Sequence, residues 1–233
     1  MTETATFSGF TPKAATFFRQ LAKNNNKGWF EAHRTEYEAD VLAPTRAFVL
    51  ALGERLQKLA PGVIADPRAN RSLFRINRDA RFTTDKSPYK THLGLWLWEG
   101  PRARMENSGF YFHLEPPEIY LGVGMYHFPD ELLPAFRQDV VHPVHGAALA
   151  DAVRALEKKG YEVGGQHYKR VPRGFDPQHP NAALLLYAGM YAGWGGKIPP
   201  EFYSAKLLDF CIRHYKAVLP LHQWLAAFVE RQS

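Results

Sequence analysis

The sequence predicts an α+β fold: a central antiparallel sheet of about four to six strands, with helices from both ends of the chain packed on it. Three observations carry this. Successive segments in the middle of the chain alternate aliphatic and other residues with period two, the period of a strand. Apolar residues in the flanking segments recur every three or four positions, the period of a helix face. Finally, no internal repeat, low-complexity tract or linker interrupts the 233 residues, so a single domain over 1–233 is expected.

Taken in order, Thr11 stands where a helix cap belongs and Pro12 suits the first turn, with Phe17, Phe18 and Leu21 as the apolar stripe. The run Asn24-Asn25-Asn26-Lys27-Gly28 stops that helix. A second helix is expected from Lys27 or Gly28 to Leu42, with Trp29, His33, Tyr37 and Val41 on one face. Pro44 opens a third, carried by Phe48, Leu52, Leu56 and Leu59 and ended by Pro61-Gly62. Ser72 to Asn77 is a strand candidate. Leu93, Leu95 and Leu97 alternate with Gly94, Trp96 and Trp98. Phe110, Phe112 and Leu114 alternate with Tyr111, His113 and Glu115. Ile119, Leu121, Val123 and Met125 alternate with Tyr120, Gly122, Gly124 and Tyr126. Glu115-Pro116-Pro117-Glu118 is short enough to close a hairpin. Helical patterns return over Asp130–Asp139 and Val144–Lys158. Tyr161–Pro180 reads as irregular with a short strand, and Ala192–Pro200 as a plain connector. Two last helices are expected, Pro200 to about Ala217 and Leu219 or Pro220 to Glu230.

Apolar content of 45% and charged content of 22% are ordinary for a soluble globular protein. No apolar run reaches the roughly 18 residues of a membrane helix. The opening MTETATFSGF lacks the basic and apolar regions of a secretory signal, and one cysteine rules out an internal disulfide. A cytoplasmic protein without a membrane partner is therefore the expectation.

The net charge of +6 is concentrated. Arg68–His92 holds seven bases and two acids, a net +5; Lys158–Arg173 holds five bases and one acid, a net +4. Such clustering points to an anionic partner. In Arg75-Ile-Asn-Arg78-Asp79-Ala-Arg81-Phe-Thr-Thr-Asp85-Lys86-Ser-Pro-Tyr89-Lys90-Thr-His92, turn-forming residues follow a short strand. Cations thus fall on a loop beside the sheet. Arginine suits bidentate recognition of phosphate or carboxylate, and lysine supplies a point charge. Internal pairing of Asp79 with Arg78 or Arg81, and of Asp85 with Lys86 or Lys90, is the competing arrangement. The second basic stretch contributes Lys169 and Arg173.

On a strand, His113 and Glu115 point the same way, which suits a general acid–base pair, two metal ligands or a plain ion pair. His92, His127, His142 and His145 widen the choice. With no HExxH, no cysteine pair and no fixed multi-histidine motif, no metal is assigned. Phosphate-loop, dinucleotide-binding and nucleophile-elbow signatures are also absent, and no cofactor is specified. Gly94, Gly122 and Gly124 on the aromatic strand faces signal close approach of a backbone, a large side chain or a ligand.

Four stretches resemble the family described as domain of unknown function 2461: Asn24–Glu38, Phe74–Gly94, Gly109–Pro116 and Tyr168–Pro180. They run in order along most of the chain. The resemblance implies a soluble, single-domain protein and carries no catalytic residue over.

The chemistry therefore favours binding of a phosphorylated or carboxylated molecule, in a basic, aromatic-lined pocket and with or without catalysis. Arg75, Arg78, Arg81, Lys86, Tyr89, Lys90, His92, Tyr111, Lys169 and Arg173 are the expected ligand contacts, and His113 and Glu115 the acid–base candidates. Nucleic-acid binding and docking of an acidic protein are the alternatives. The sequence sets no oligomeric state.

Overall fold

A computed structural model describes residues 6–79, 81 and 83–233. The start of MTETATFSGF and two positions of the basic loop, Ala80 and Phe82, lie outside the described residues. The architecture is α+β, as expected. Its sheet has six antiparallel strands: β1 (Val63–Ile64), β2 (Leu93–Glu99), β3 (Ser108–Glu115), β4 (Glu118–Met125), β5 (Glu162–Gln166) and β6 (Tyr187–Lys197). Their spatial order is β1-β2-β3-β4-β6-β5. Among the described residues, no helix is long and apolar enough to cross a membrane.

The residues group into two compact units. Of the described residues, one comprises 6–97, 111–121 and 195–213; the other comprises 98–110, 122–194 and 214–233.

In the first unit, α1 (Pro12–Lys23) buries Phe17, Phe18 and Leu21 as the stripe predicts. Thr11 occupies the cap position in extended conformation, but its side chain makes no capping bond. The asparagine run both ends α1 and starts α2 (Lys27–Ala32): the Asn24 N–H closes on Gln20 and Leu21, and Asn26 Oδ1 accepts the Trp29 N–H at 2.9 Å. The chain then continues through a short turn, α3 (Arg34–Glu36), and a π-helical stretch (Tyr37–Leu42) directly into α4 (Ala43–Leu56). The expected break before Pro44 is absent. Proline removes one N–H from the ladder. The wider π-helical turn sits where it would clash, and Thr45 Oγ1 donates to the Val41 carbonyl at 2.6 Å. Phe7, Phe10, Phe48, Phe112 and Phe202 form the core, with Phe10 stacked on Phe202 at 4.8 Å and Phe48 edge-on to Phe112 at 5.0 Å.

Ser72–Asn77 lies beside β2 at its start and bridges to Tyr89 at its end, without becoming a regular strand. Phe74 N donates to Gly94 O and Trp96 N to Ser72 O, but pairing is limited to isolated bridges at Leu73 and Asn77.

In the second unit, α5 (Leu132–Val141) and α6 (His145–Glu157) form near the expected positions. Phe128, Phe136, Trp224 and Phe228 pack as an aromatic cluster. β5 pairs antiparallel with β6, Glu162 facing Gly193, with an irregularity between Gly164 and Gln166. Strand β6 replaces the expected connector over Ala192–Lys197. Its glycines at 189, 193, 195 and 196 hide the alternation. Gly124 on β4 adopts φ +130°, and a Cβ there would stand 2.2 Å from the Met190 carbonyl oxygen, so close backbone approach explains this glycine.

The two expected C-terminal helices are a 3₁₀ turn (Pro200–Tyr203) followed by one helix, α7 (Leu207–Arg231), which holds Pro220 in its interior.

Candidate functional site

The basic segment is anchored at its start. Asp66 receives Arg68 (Nη2 at 2.6 Å) and Arg71 (Nε at 3.1 Å), so the cluster's first two cations are held by an acid just outside it. These guanidinium bonds, that of Arg68 foremost, hold the Asp66 carboxyl well below the usual range.

Beyond Ile76 the loop bonds to itself. Arg78 N donates to Pro88 O at 2.9 Å and Lys90 N to Ile76 O at 2.8 Å, closing its two ends. Asp79 takes Arg81 in a fork, Nε to Oδ1 at 2.9 Å and Nη2 to Oδ2 at 2.8 Å. Asp85 accepts the Ser87 hydroxyl at 2.6 Å and N–H at 2.9 Å, and pairs with Arg78. The Ser87 bonds first, then Arg78, keep its carboxyl well below the usual range. Internal pairing therefore exists, with Arg78 as the partner of Asp85. Arg75, which is exposed, forms no salt bridge with a described residue.

Arg75, Asn77, Arg78, Asp79 and Arg81 line one open depression of about 550 Å³. Three guanidinium groups and one carboxylate give this lining a formal charge of +2. Lys86 is exposed, and the Lys90 ammonium lies 5.2 Å from the centre of the Phe74 ring. Neither lines the depression. Tyr89 is a core residue: its ring stacks on Phe30 at 4.2 Å and its backbone exchanges two hydrogen bonds with the Asn25 amide. The described lining contains no aromatic ring. Lys169 and Arg173 are exposed in the second unit.

A second cluster in the first unit centres on β3. Tyr111, His113 and Glu115 alternate onto one face, as their spacing requires. Tyr111 Oη lies 2.8 Å from His113 Nδ1, and His113 Nε2 lies 3.3 Å from Glu115 Oε2. Thr91 Oγ1 donates to Glu115 Oε1 at 3.4 Å. His92, just before β2, sets its ring 4.5 Å from that of His113. Burial, and then the neighbouring imidazole of His113, pull the His92 pKa down to about 4, so its ring is neutral at pH 7. Burial likewise pushes the Tyr111 hydroxyl up to about 12. Donor atoms of His92, His113 and Glu115 all lie within 4.8 Å of one another. This is the one group of three such ligands among the described residues. His113-x-Glu115 is legible as a strand pair; His92 joins it only through folding. His127, His142 and His145 belong to the second unit, where His145 Nδ1 meets Asp139 at 3.0 Å.

Gly94, beside this face, makes room for rings. A Cβ at Gly94 would meet Phe74 Cδ2 at 3.1 Å and the Tyr111 hydroxyl at 3.3 Å. Trp96 and Trp98, which alternate with the leucines of β2, are buried.

Sequence spacing gives no sign of a third constellation, in the second unit. Ser108 Oγ lies 2.9 Å from His222 Nδ1, and His222 Nε2 lies 2.9 Å from Glu99 Oε2. Serine, histidine and carboxylate in a chain resemble a nucleophilic triad. Here Ser108 and His222 are wholly buried, so no substrate carbonyl reaches the hydroxyl. The arrangement ties β2, β3 and α7 together inside the unit and satisfies buried polar atoms.

Fold and site thus define an α+β protein with an arginine-lined depression and a separate His/His/Glu cluster. The chain belongs to the conserved hypothetical protein family DUF2461, whose model matches residues 13–224. No curated protein matches it.

Proposed function

We propose that the protein binds a small phosphorylated or carboxylated molecule at the depression lined by Arg75, Asn77, Arg78, Asp79 and Arg81. The observation that supports this reading is the grouping of three guanidinium groups around one open concavity with a single carboxylate. Arg75, with no salt bridge to a described residue, offers its fork directly.

The pairs that Arg78 and Arg81 make do not close the site. Arg81 and Asp79 are exposed, and half-buried Arg78 faces an exposed Asp85; pairs open to solvent in this way contribute about 0–1 kcal/mol. A phosphate or carboxylate replaces one weak partner with several charge-assisted bonds, each worth roughly 1.5–3 kcal/mol. Lys86 and Lys90 raise the local potential from the same loop without lining the concavity. Lys169 and Arg173 are not needed for this reading. The single buried cysteine agrees with a cytoplasmic setting.

Melting curves with pyrophosphate, a nucleoside triphosphate and citrate test the proposal. At a ligand concentration of about 100 Kd, binding adds roughly 2.7 kcal/mol, which for a chain of this size is a Tm gain of about 5–11 °C. Arg75→Ala, and Arg78→Ala with Arg81→Ala, should melt near wild type without ligand and lose the gain. No gain from any of the three compounds rejects the reading. Tight binding of random-sequence DNA or RNA, weakening by about 0.9 log unit per log unit of salt for each phosphate held, replaces it with a nucleic-acid interface.

A further inference from the structure

We propose that His92, His113 and Glu115 hold one divalent transition-metal ion of the zinc type, at a site separate from the anion depression. Three independent features of the cluster support this.

The first is spacing. Donor atoms bound to a common ion at about 2.1 Å stand roughly 3.0–3.4 Å apart in tetrahedral or octahedral geometry. His113 Nε2 and Glu115 Oε2 already stand 3.3 Å apart. All three donors lie within 4.8 Å, so a small rotation of His92 completes the set.

The second is the outer shell. Metal-bound imidazoles are oriented through their other ring nitrogen. His113 Nδ1 has the Tyr111 hydroxyl at 2.8 Å, which accepts the Nδ1 proton once Nε2 gives its lone pair to a metal. The free Glu115 oxygen, Oε1, is bonded by Thr91 Oγ1. Both strand-borne ligands are thus braced from behind.

The third is His92 itself. A plain His113–Glu115 ion pair has no use for a second imidazole. His92 is half-buried against that pair, yet it forms no hydrogen bond with a described residue. A shared ion gives its lone pair a partner.

Two imidazoles and one carboxylate suit Zn²⁺, Co²⁺, Ni²⁺ or Fe²⁺ rather than the all-oxygen preference of Ca²⁺ or Mg²⁺. Three protein ligands leave at least one coordination position, and the exposure of Glu115 opens it to water. Such a site exchanges solvent or substrate, unlike a closed structural zinc site.

The test is calorimetric titration of Zn²⁺ into the chelator-stripped full chain, repeated with Co²⁺ and its visible absorption. One equivalent should bind with a Kd of about 1 µM or below. His92→Ala, His113→Ala and Glu115→Gln should each weaken binding at least tenfold, and Tyr111→Phe by about tenfold. Glu115 is exposed, so Glu115→Gln keeps the fold and isolates the ligand effect. The chain has ten histidines, so His142→Ala with His145→Ala serves as the control and should bind as wild type does. Arg75→Ala should also leave the titration unchanged, which separates this site from the anion depression. Absence of saturable binding by both metals overturns the proposal. So does an unchanged affinity in Glu115→Gln, or loss of binding in the His142/His145 control.

Discussion

Replacing His222 with leucine tests whether the Ser108–His222–Glu99 chain is structural. Leucine fills much of the imidazole's space but offers no polar atom. Ser108 is fully buried and loses its partner at 2.9 Å; a buried polar group left unpaired costs about 1–3 kcal/mol. Glu99 loses its bond at 2.9 Å but keeps a partly exposed carboxylate, so its share lies near 1 kcal/mol by the same reasoning. The expected total is about 3 kcal/mol. At roughly 2–4 °C per kcal/mol for a chain of this size, Tm should fall by about 6–12 °C. Urea unfolding followed by circular dichroism should show the midpoint shift with an unchanged slope. A serine-directed fluorophosphonate should leave the folded wild type unmodified. A change in stability below about 0.5 kcal/mol for His222→Leu, well under the cost of one orphaned group, would refute the structural role. Rapid labelling of Ser108 in the native protein would refute its burial.

Two further perturbations follow from the geometry. Gly124→Ala should destabilise by more than about 2 kcal/mol, because its φ of +130° and the Met190 oxygen 2.2 Å from a new Cβ leave no room; equilibrium unfolding measures it. Asp66→Asn should be less stable than wild type at pH 7. The Asp66 pKa is depressed in the folded state, so its contribution is present above the ordinary value of about 3.9 and fades as pH falls below it. Denaturation midpoints of the two proteins should converge toward pH 2, and a constant gap from pH 7 to pH 2 would contradict the clamp by Arg68 and Arg71.

The sheet was legible where one face is aliphatic: Leu93 to Leu97, Phe110 to Leu114 and Ile119 to Met125 all lie in strands. Strand β6 was hidden because glycine replaces the side chains whose alternation would reveal it. Pro44 and Pro220 read as boundaries, since proline breaks a hydrogen-bond ladder. A π-helical turn absorbs the first, and α7 continues through the second. The loop's cations were legible from composition, but their pairing was not. Asp85 takes Arg78 because the closed loop brings positions seven apart together, whereas adjacent Lys86 does not line the depression. Tyr89 looked like a loop residue among cations, yet an aromatic ring of that size finds a better place against Phe30. The Ser108–His222 bond joins residues 114 positions apart, and His92 reaches His113 across neighbouring strands. Contacts of that kind leave no local periodicity to read.

The central claim is that the arginine-lined depression takes an anion. Calorimetric titration of pyrophosphate into wild type and Arg75→Ala tests it most directly. One saturable site in the wild type is expected, weakened about 10- to 100-fold in the variant, as loss of charge-assisted bonds worth roughly 1.5–3 kcal/mol requires. Absence of saturable heat in the wild type, or equal affinity in the two proteins, would contradict it.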